Sequence, residues 1–301
     1  MKVKRRRTPS IVLNNGIRMP LFGTGTTHNQ GGIDVESLVL AFENGVRCID
    51  TASHYGTETK VCAGLNEYRK RRKHMYKKDE DEKEEQEPFF LASKLWPGDV
   101  AGGRGSVKRA FEKSLDALGV KTLDLYMVHW PGLTKHGDPD EARRNVWMEM
   151  EELYKSGKVK AIGVSNFQRK HFRSIEKTWN IVPAVNQIEF NPFQNPKELR
   201  AYCTKNKIHV EGYCPFGKGE VFRNRNILDT SKRLGIPISH MIILWHIQNG
   251  VTCIPKSNDA THVLENASYL SSFGKLDPAA INVLNSMHCN LRVTWDPTYV
   301  R

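Results

Sequence analysis

The chain has 301 residues, of which 39% are hydrophobic and 26% charged, which is ordinary for a water-soluble globular protein. No apolar run reaches the roughly 20 residues of a membrane-spanning helix, and the basic N-terminus lacks the apolar segment typical of a secretory signal. Six scattered cysteines form no CxxC pair. This spacing argues against a disulfide framework and a zinc site and favours a reducing, cytoplasmic compartment.

The positive charge is concentrated in two segments. The formal net charge is +12, and the many basic residues near the start predict a flexible basic arm over residues 1–10. A second basic run at 69–78 precedes an acidic run at 79–87, and their charges nearly cancel. Blocks of like charge repel and stay extended, so we expect a solvated loop insertion at about 67–88. Nucleic-acid binding is the weaker interpretation, so neither a nucleic-acid nor a membrane partner is expected.

After the arm, apolar runs alternate with helical segments. In the segment 106–120, for example, apolar residues recur on one face and Gly119 ends the pattern. Seven runs are predicted to be strands: RCID (47–50), FFLASK (89–94), LDLYMVH (123–129), KAIGVSN (160–166), AVNQIE (184–189), HVEGYCP (209–215) and VTCIPK (251–256). A weaker eighth candidate is YLSSF at 269–273.

This alternation predicts the fold class. Strands separated by helices form a parallel sheet, and eight such units in about 250 residues fit a closed (β/α)8 TIM barrel. No G-x-G-x-x-G follows any predicted strand, which argues against a Rossmann fold. We therefore expect one α/β barrel domain over residues 11–301.

Polar residues stand where several predicted strands end, the edge at which barrels of this class carry their active sites. The first predicted strand ends at Asp50, with Tyr55 in the loop after it; the second ends at Lys94 and the third at His129. A charged group in an apolar strand is costly unless it is paired. Asp50 alone could cap a helix, and one histidine could belong to the core, but the four together indicate catalysis.

Eight motifs, between residue 12 and about residue 266, resemble those of the aldo-keto reductases. They are NNGIRMPLFGTGT, GVRCIDTASHYGTE, LASKLW, LDLYMVHWPG, KAIGVSNF, VNQIEFNP, GYCPFGKG and IPKS with a later LEN. The resemblance implies a (β/α)8 barrel and hydride transfer between a nicotinamide cofactor, usually NADPH, and a carbonyl. The compact loops are similar to those of prostaglandin F synthases and diketogluconate reductases.

The resemblance places a catalytic tetrad on Asp50, Tyr55, Lys94 and His129. Tyr55 would be the general acid, although a free tyrosine has a pKa of about 10. We expect Lys94 to lower the pKa of Tyr55, with Asp50 balancing the lysine charge. His129 would orient the carbonyl and stabilise the developing oxyanion. The expected enzyme is an NADP-dependent aldehyde reductase that reduces aldehydes and ketones to alcohols.

The resemblance also implies which residues hold the cofactor. Ser165, Asn166 and Gln187 would bind the nicotinamide carboxamide, and Tyr213 would stack on the ring. Residues for the rest of the cofactor are Gly25, Thr26, Pro215, Gly217, Gly219, Lys256, Ser257, His262, Glu265 and Asn266. His262 stands where the family commonly has an arginine, and an imidazole cannot grip phosphate bidentately. NADPH is therefore the expected cofactor, with NADH a weaker donor, and no metal is expected.

Four residues are expected to line the substrate pocket: Thr27, His54, Trp96 and Trp130. Thr27 replaces the aromatic residue that usually follows GxGT in the family, which should open one wall or make it more polar. The alternative function is a cofactor-binding redox sensor or scaffold with little turnover, whose partner would bind the basic arm or the insertion. The expected partner is a small-molecule carbonyl substrate, and the expected state is a cytoplasmic monomer.

Overall fold

The computed structural model describes residues 8–27, 31–75, 88–133, 137–268 and 274–301. Most of the predicted arm, the acidic part of the predicted insertion and the candidate strand at 269–273 lie outside these residues. The strands are β1 Ser10–Val12, β2 Arg18–Pro20, β3 Thr24–Gly25, β4 Cys48–Asp50, β5 Phe90–Leu95, β6 Leu125–Val128, β7 Ile162–Ser165, β8 Val185–Glu189, β9 His209–Tyr213 and β10 Val251–Cys253. The helices are α1 Val35–Glu43, α2 Glu58–Met75, α3 Ser106–Leu118, α4 Pro139–Lys155, α5 Arg169–Glu176, α6 Lys197–Lys205, α7 Arg225–Leu234, α8 Ile238–Gln248, α9 Ala260–Ser268 and α10 Pro278–Ser286.

Strands β3 to β10 form one parallel sheet in chain order. The sheet closes on itself because the first and last strands are hydrogen-bonded: the amide of Gly23 donates to Cys253 O at 3.0 Å, and that of Gly25 donates to Pro255 O at 2.9 Å. Helices follow the strands and cover the outside. The predicted (β/α)8 barrel is confirmed.

The eighth strand of the barrel lies at a place where the sequence shows no strand signal, while the candidate at 269–273 lies outside the described residues. The structure forms this strand at Thr24–Gly25, before the first strand that the sequence indicated. Two residues are too short for a hydrophobic period to show, and glycine is unfavourable in strands. This strand is defined by its parallel pairing with β4, Thr24 opposite Ile49 and Gly25 opposite Asp50, together with the closing hydrogen bonds to the β10 side.

A hairpin of β1 and β2 covers the amino end of the barrel, with Ile11 opposite Met19. Met19 and Leu13 pack against apolar residues from the first halves of the barrel strands, such as Phe90 and Leu125. The interior is therefore apolar at this end.

The helices follow the predicted pattern, with one difference at α2. In α3 the apolar face is buried, and Gly119 caps the end with φ 64°. The predicted loop insertion from about residue 67 is helical as far as Met75, because Arg71 donates to Glu67 one turn earlier and to Glu36 of α1. No helix in the described part of the chain is long and apolar enough to cross a membrane.

Candidate active site

The four predicted catalytic residues meet at the carboxyl end of the barrel. Asp50 is the last residue of β4, and Lys94 lies near the end of the neighbouring β5. His129 follows β6 directly, and Tyr55 ends a short 3₁₀ turn after β4. The parallel arrangement thus brings together side chains that are far apart in the sequence.

Asp50 and Lys94 form a buried ion pair. Nζ of Lys94 donates to both carboxylate oxygens of Asp50, at 2.6 and 2.7 Å, and to the backbone oxygen of Thr51 at 2.9 Å. Both side chains are almost fully inaccessible to water. An ammonium group has three donors, so all of them are used and neither buried charge lacks a counter-charge.

Tyr55 lies beside this pair with its hydroxyl 3.3 Å from Nε2 of His129. Burial, and then the charge of Asp50, raise the pKa of Tyr55 well above its ordinary value. The net shift is thus opposite to the lowering that was expected from Lys94, whose three donors are directed at Asp50 and Thr51. The lysine lies 5.0 Å from the centroid of the Tyr55 ring. Tyr55 therefore keeps its proton, as a proton donor must.

The polar cluster extends across β8 and β9 through two further buried side chains. Nε2 of Gln187 donates to Oδ1 of Asp50 at 2.8 Å and to Oε2 of Glu211 at 2.6 Å. Burial, and then the charge of Asp50, raise the pKa of Glu211 to about 8. The sequence analysis missed Glu211. The available signal was a carboxylate within the apolar run HVEGYCP, two residues before Tyr213 and thus on the same face of the strand.

Three residues predicted for the nicotinamide form a hydrogen-bonded chain next to Gln187. The hydroxyl of Ser165 donates to Gln187 O at 3.0 Å, and Nδ2 of Asn166 donates to Ser165 Oγ at 3.0 Å and to His129 O at 3.1 Å. The hydroxyl of Tyr213 donates to Oδ1 of Asn166 at 2.7 Å. Asn166 has a φ of 64°, a left-handed conformation that asparagine tolerates better than most residues. The structure therefore brings these predicted residues together.

The loop after β9 has an unusual backbone. Gly217 and Gly219 have positive φ values of 54° and 99°, as do Cys214 at 50° and Lys218 at 51°. A Cβ atom at Gly219 would meet nothing within 4 Å, so the conformation rather than crowding selects glycine there. Pro215 is buried within the loop. The amides of Gly217 and Gly219 donate within the loop, to Cys214 O at 3.0 Å and to Phe216 O at 2.9 Å, and these bonds hold the left-handed conformation.

Residues predicted for the adenine end of the cofactor lie together after β10. Lys256 and Ser257 are half-buried, and Ser257 shares a small cavity with Asn266. Burial lowers the pKa of Lys256; the charge of Asp34 opposes this shift and that of Lys60 adds to it. A cation, a hydroxyl and an amide therefore stand in one region.

Two other predicted residues of this region have contacts of their own. His262 is exposed, and its Nδ1 lies 3.9 Å from Oδ1 of Asp259. The carboxylate of Glu265 accepts a hydrogen bond from the hydroxyl of Ser239. The position where the family resemblance leads one to expect an arginine thus has an imidazole beside a carboxylate.

Gly25 and Thr26 make mainly structural contacts in the described residues. The amide of Gly25 donates to Pro255 O at 2.9 Å across the closing seam of the barrel. The hydroxyl of Thr26 donates to Asp50 O at 3.1 Å and lies 3.0 Å from Oγ1 of Thr57. These contacts hold the end of β4, where Asp50 lies.

The model of the Aldo/keto reductase family matches residues 21–288 of this chain. The chain belongs to that family. A glyoxal reductase of Bacillus subtilis is 36% identical over 278 residues, which is 92% of each chain. A 9,11-endoperoxide prostaglandin H2 reductase of Trypanosoma cruzi is 32% identical over 95% of this chain and 94% of its own. The crystal structure of a Bombyx mori aldo-keto reductase in complex with NADP has a TM-score of 0.80 and 26% identity, and the match covers 96% of this chain and 95% of that one.

In this aldo/keto reductase an aromatic wall stands beside the tetrad. The ring of His54 stacks on that of Trp96, with centroids 3.6 Å apart and planes 7° apart. Trp295 lies 6.3 Å from Trp96 and 5.8 Å from Trp130, measured between ring centroids. Thr27 is half-buried, and the three residues after it lie outside the described ranges. The structure therefore gathers three of the predicted pocket residues and adds Trp295.

The sequence analysis missed Trp295 because it lies in the C-terminal segment, beyond the last predicted strand. Glu189, at the end of β8, holds this segment: it accepts from the amides of Val293 at 2.8 Å and Thr294 at 3.2 Å. The hydroxyl of Thr294 also donates to Glu189 and lies 3.2 Å from that of Tyr213. A buried glutamate at a strand end was the one available signal.

Proposed function

We propose that this aldo/keto reductase reduces aldehydes and ketones to alcohols with NADPH as hydride donor and Tyr55 as general acid. The observation that carries the proposal is the position of the Tyr55 hydroxyl, 3.3 Å from Nε2 of His129 and beside the buried pair of Lys94 and Asp50. A carbonyl that accepts hydride gains negative charge on its oxygen. It then needs a proton donor and a polar partner at one point, which these two side chains provide.

Each member of the tetrad has a separate task in this proposal. Tyr55 gives its proton to the carbonyl oxygen, and His129 contacts the same oxygen and orients it. Lys94 and Asp50 hold their positions through three short hydrogen bonds, so the field around the phenol is set before substrate binds. NADPH, when bound, supplies the hydride.

The described side chains fit a nicotinamide dinucleotide. Gln187 directs its NH2 group to two carboxyl groups, and its Oε1 accepts no hydrogen bond within the described residues, so this oxygen suits the NH2 group of a carboxamide. Gly217 and Gly219 carry no side chain, so a pyrophosphate can approach the backbone of this loop closely, and Lys256 suits a ribose phosphate. The NADP complex named for the Bombyx mori enzyme supports the same assignment.

The aromatic wall supports substrates with an apolar or planar part. His54, Trp96, Trp130 and Trp295 offer ring faces next to the tetrad, and such faces bind flat or apolar groups. Similarity to a glyoxal reductase supports a small dicarbonyl as substrate. Similarity to a prostaglandin H2 reductase supports a larger, lipid-like substrate. Both classes belong in the first substrate panel.

We further propose that the enzyme acts in the cytoplasm as a monomer with one domain over residues 11–301. All six cysteines are free thiols, three of them buried in the barrel, which suits a reducing compartment. Gel filtration with light scattering checks the monomer. A dimer whose interface covers the aromatic wall would contradict it.

The test is consumption of NADPH with glyoxal, methylglyoxal, aromatic aldehydes and, for the lipid-like class, a long-chain aldehyde. We expect wild type to turn over and Tyr55→Phe to lose about 10²- to 10⁴-fold in rate while it still binds NADPH. Tyr126→Phe is the matched control, because Tyr126 is a buried barrel tyrosine on β6 outside the site, and its rate should stay near that of wild type. Equal rates for Tyr55→Phe and wild type would refute the acid assignment. Tight NADPH binding without any turnover would favour the scaffold alternative.

A further inference from the structure

Glu211 has no task in the mechanism above, although its side chain is fully buried within the catalytic cluster. We infer that Glu211 is a positioning residue: with Asp50 it holds both N–H groups of the Gln187 amide and so directs the amide oxygen of Gln187 to the nicotinamide carboxamide. The inference rests on the proposed cofactor site and deepens it. It assigns the orientation of the nicotinamide partner to a residue that does not touch the cofactor.

The hydrogen-bond geometry supports a hold at two points. Nε2 of Gln187 lies 2.8 Å from Oδ1 of Asp50 and 2.6 Å from Oε2 of Glu211. A primary amide has two N–H donors on one nitrogen, one for each carboxyl group. Gln187 and Glu211 are register partners on β8 and β9, so their side chains are neighbours on the same face of the sheet.

The second acceptor, Oε2 of Glu211, fixes the orientation of the Gln187 amide. The terminal torsion of a glutamine is broad, so an amide held by one hydrogen bond can still rotate. Oδ1 of Asp50 also accepts from Lys94 at 2.6 Å, so it is shared between two donors. Reversing the amide would place its oxygen against both Asp50 and Glu211 and lose two buried hydrogen bonds, which is costly.

The hold does not depend on the protonation of Glu211. The charged and titratable groups around it are Asp50 and Cys48 of β4, Lys94 of β5 and Tyr55 of the following turn. A carboxylic acid and a carboxylate both offer an acceptor oxygen to Gln187. We therefore expect the positioning role to persist across the pH range of the folded enzyme.

A cofactor analogue tests this orientation directly. The 3-acetylpyridine analogue of NADP⁺ keeps the carbonyl oxygen of the carboxamide but lacks its NH2 group, the donor that the Gln187 oxygen would accept. Calorimetric titration gives the dissociation constants of NADP⁺ and of the analogue without any turnover. Wild type should bind NADP⁺ about three- to tenfold more tightly than the analogue, because one hydrogen bond changes the dissociation constant by about this factor.

The variants separate positioning from general damage. The measured quantity is the dissociation constant of the analogue divided by that of NADP⁺. Glu211→Gln retains an acceptor and should keep the wild-type value of this ratio. Glu211→Met and Glu211→Thr remove the acceptor at Gln187 and should bring the ratio close to one, as should Gln187→Met. Thr252→Val is the matched control: it removes a buried hydrogen bond, 2.8 Å long, from Thr252 to His209, where Thr252 is the register partner of Glu211 on β10. It should keep the wild-type ratio.

Three results would overturn the inference. The first is a wild-type ratio in Glu211→Met or Glu211→Thr; having two such variants matters because one of them can fail to fold. The second is a ratio of one in wild type that binds NADP⁺ and reduces carbonyls, which leaves the proposed function intact. The third is wild type that binds neither dinucleotide, which removes the proposed function together with the inference.

Discussion

The two ends of the barrel interior are built from opposite kinds of side chain. At the amino end, Leu13 and Met19 of the hairpin pack against an apolar layer, which consists of Cys48, Phe90, Ala92, Leu125, Met127, Ala161, Ala184 and Val185. At the carboxyl end, Asp50, Lys94 and Glu211 are buried together with hydrogen-bonded amides. Strands β4, β5 and β8 contribute to both layers, because each begins with an apolar residue and carries a polar residue near its end: Asp50, Lys94 and Gln187.

This difference shows where stability and chemistry come from. Burying the apolar layer stabilises the fold by about 25 cal/mol for each Å² of apolar surface removed from water. Burying a charge, in contrast, costs free energy that only a well-placed partner offsets. The carboxyl end therefore tolerates its charges only because every donor of Lys94 is used. The two ends should respond differently to substitution.

The largest loss of stability is expected at the carboxyl end, on breaking the ion pair. Asp50→Asn leaves the Lys94 ammonium buried without its anion, so the free energy of unfolding in urea should fall by about 3–5 kcal/mol. The double variant Asp50→Leu with Lys94→Met should recover most of this loss, although it will be inactive. Glu112→Gln is the control, because it breaks an exposed pair with Lys158 and should cost less than about 1 kcal/mol. Equal losses at the two pairs would contradict the importance of burial.

At the amino end we expect a somewhat smaller loss that leaves the chemistry unchanged. Met19 is fully buried, so Met19→Ala should lower the free energy of unfolding by about 3 kcal/mol through lost apolar contact and a cavity. Turnover of the folded variant should match that of wild type, because the site lies at the opposite end. Val12→Ala, on the same hairpin but 55% exposed, should cost less than about 0.5 kcal/mol. A large fall in turnover for Met19→Ala would show that the two ends are coupled.

The pH dependence of the free energy of unfolding should reveal the buried carboxyl group of Glu211 at the carboxyl end of the barrel. The pKa of Glu211 is raised to about 8 from an ordinary 4.5, so the folded state binds this proton more tightly than the unfolded state. Its contribution is therefore favourable at low pH and is lost as the pH rises towards 8, with a slope of at most about 1.4 kcal/mol per pH unit. Glu211→Gln should lack this slope. Parallel unfolding curves for the two proteins from pH 5 to pH 8 would be the contrary result.

The smallest effect is expected at His262, which is exposed, because solvent weakens electrostatic contacts there. His262→Arg replaces an imidazole with a guanidinium, which can grip a phosphate at two points. NADPH affinity should rise by about 1 kcal/mol, or roughly fivefold, while NADH affinity stays unchanged because NADH lacks the ribose phosphate. Equal gains for both cofactors would mean that the arginine acts on the whole dinucleotide and not on the phosphate.

Features with a local signal were accessible from the sequence. The alternating runs predicted the barrel, and charged residues within apolar strands marked Asp50, Lys94 and His129. The pocket residues His54, Trp96 and Trp130 followed from the family resemblance, and the structure gathers them beside the tetrad. These patterns are readable because strand, helix and turn preferences act over a few residues.

Other features depend on contacts between distant parts of the chain. The eighth strand at Thr24–Gly25 is recognisable only through its pairing with β4 and its bonds across the closing seam. Trp295 reaches the site because contacts such as those of Glu189 hold the C-terminal segment. The direction of the Lys94 side chain is set by the distances to Asp50 and Thr51, and the raised pKa of Tyr55 by its burial and then by the charge of Asp50.

The sequence by itself thus determined the family and the barrel and named the four residues that we propose as the tetrad, because each leaves a pattern within a short stretch of chain. Only the tertiary structure decided which donor meets which acceptor. The pairing of Gln187 with both Asp50 and Glu211 joins three strands, and Asp50 lies 137 residues from Gln187 in the sequence. Hydrogen bonds and electrostatic interactions depend on distances of a few ångströms, and only the closed barrel sets these distances.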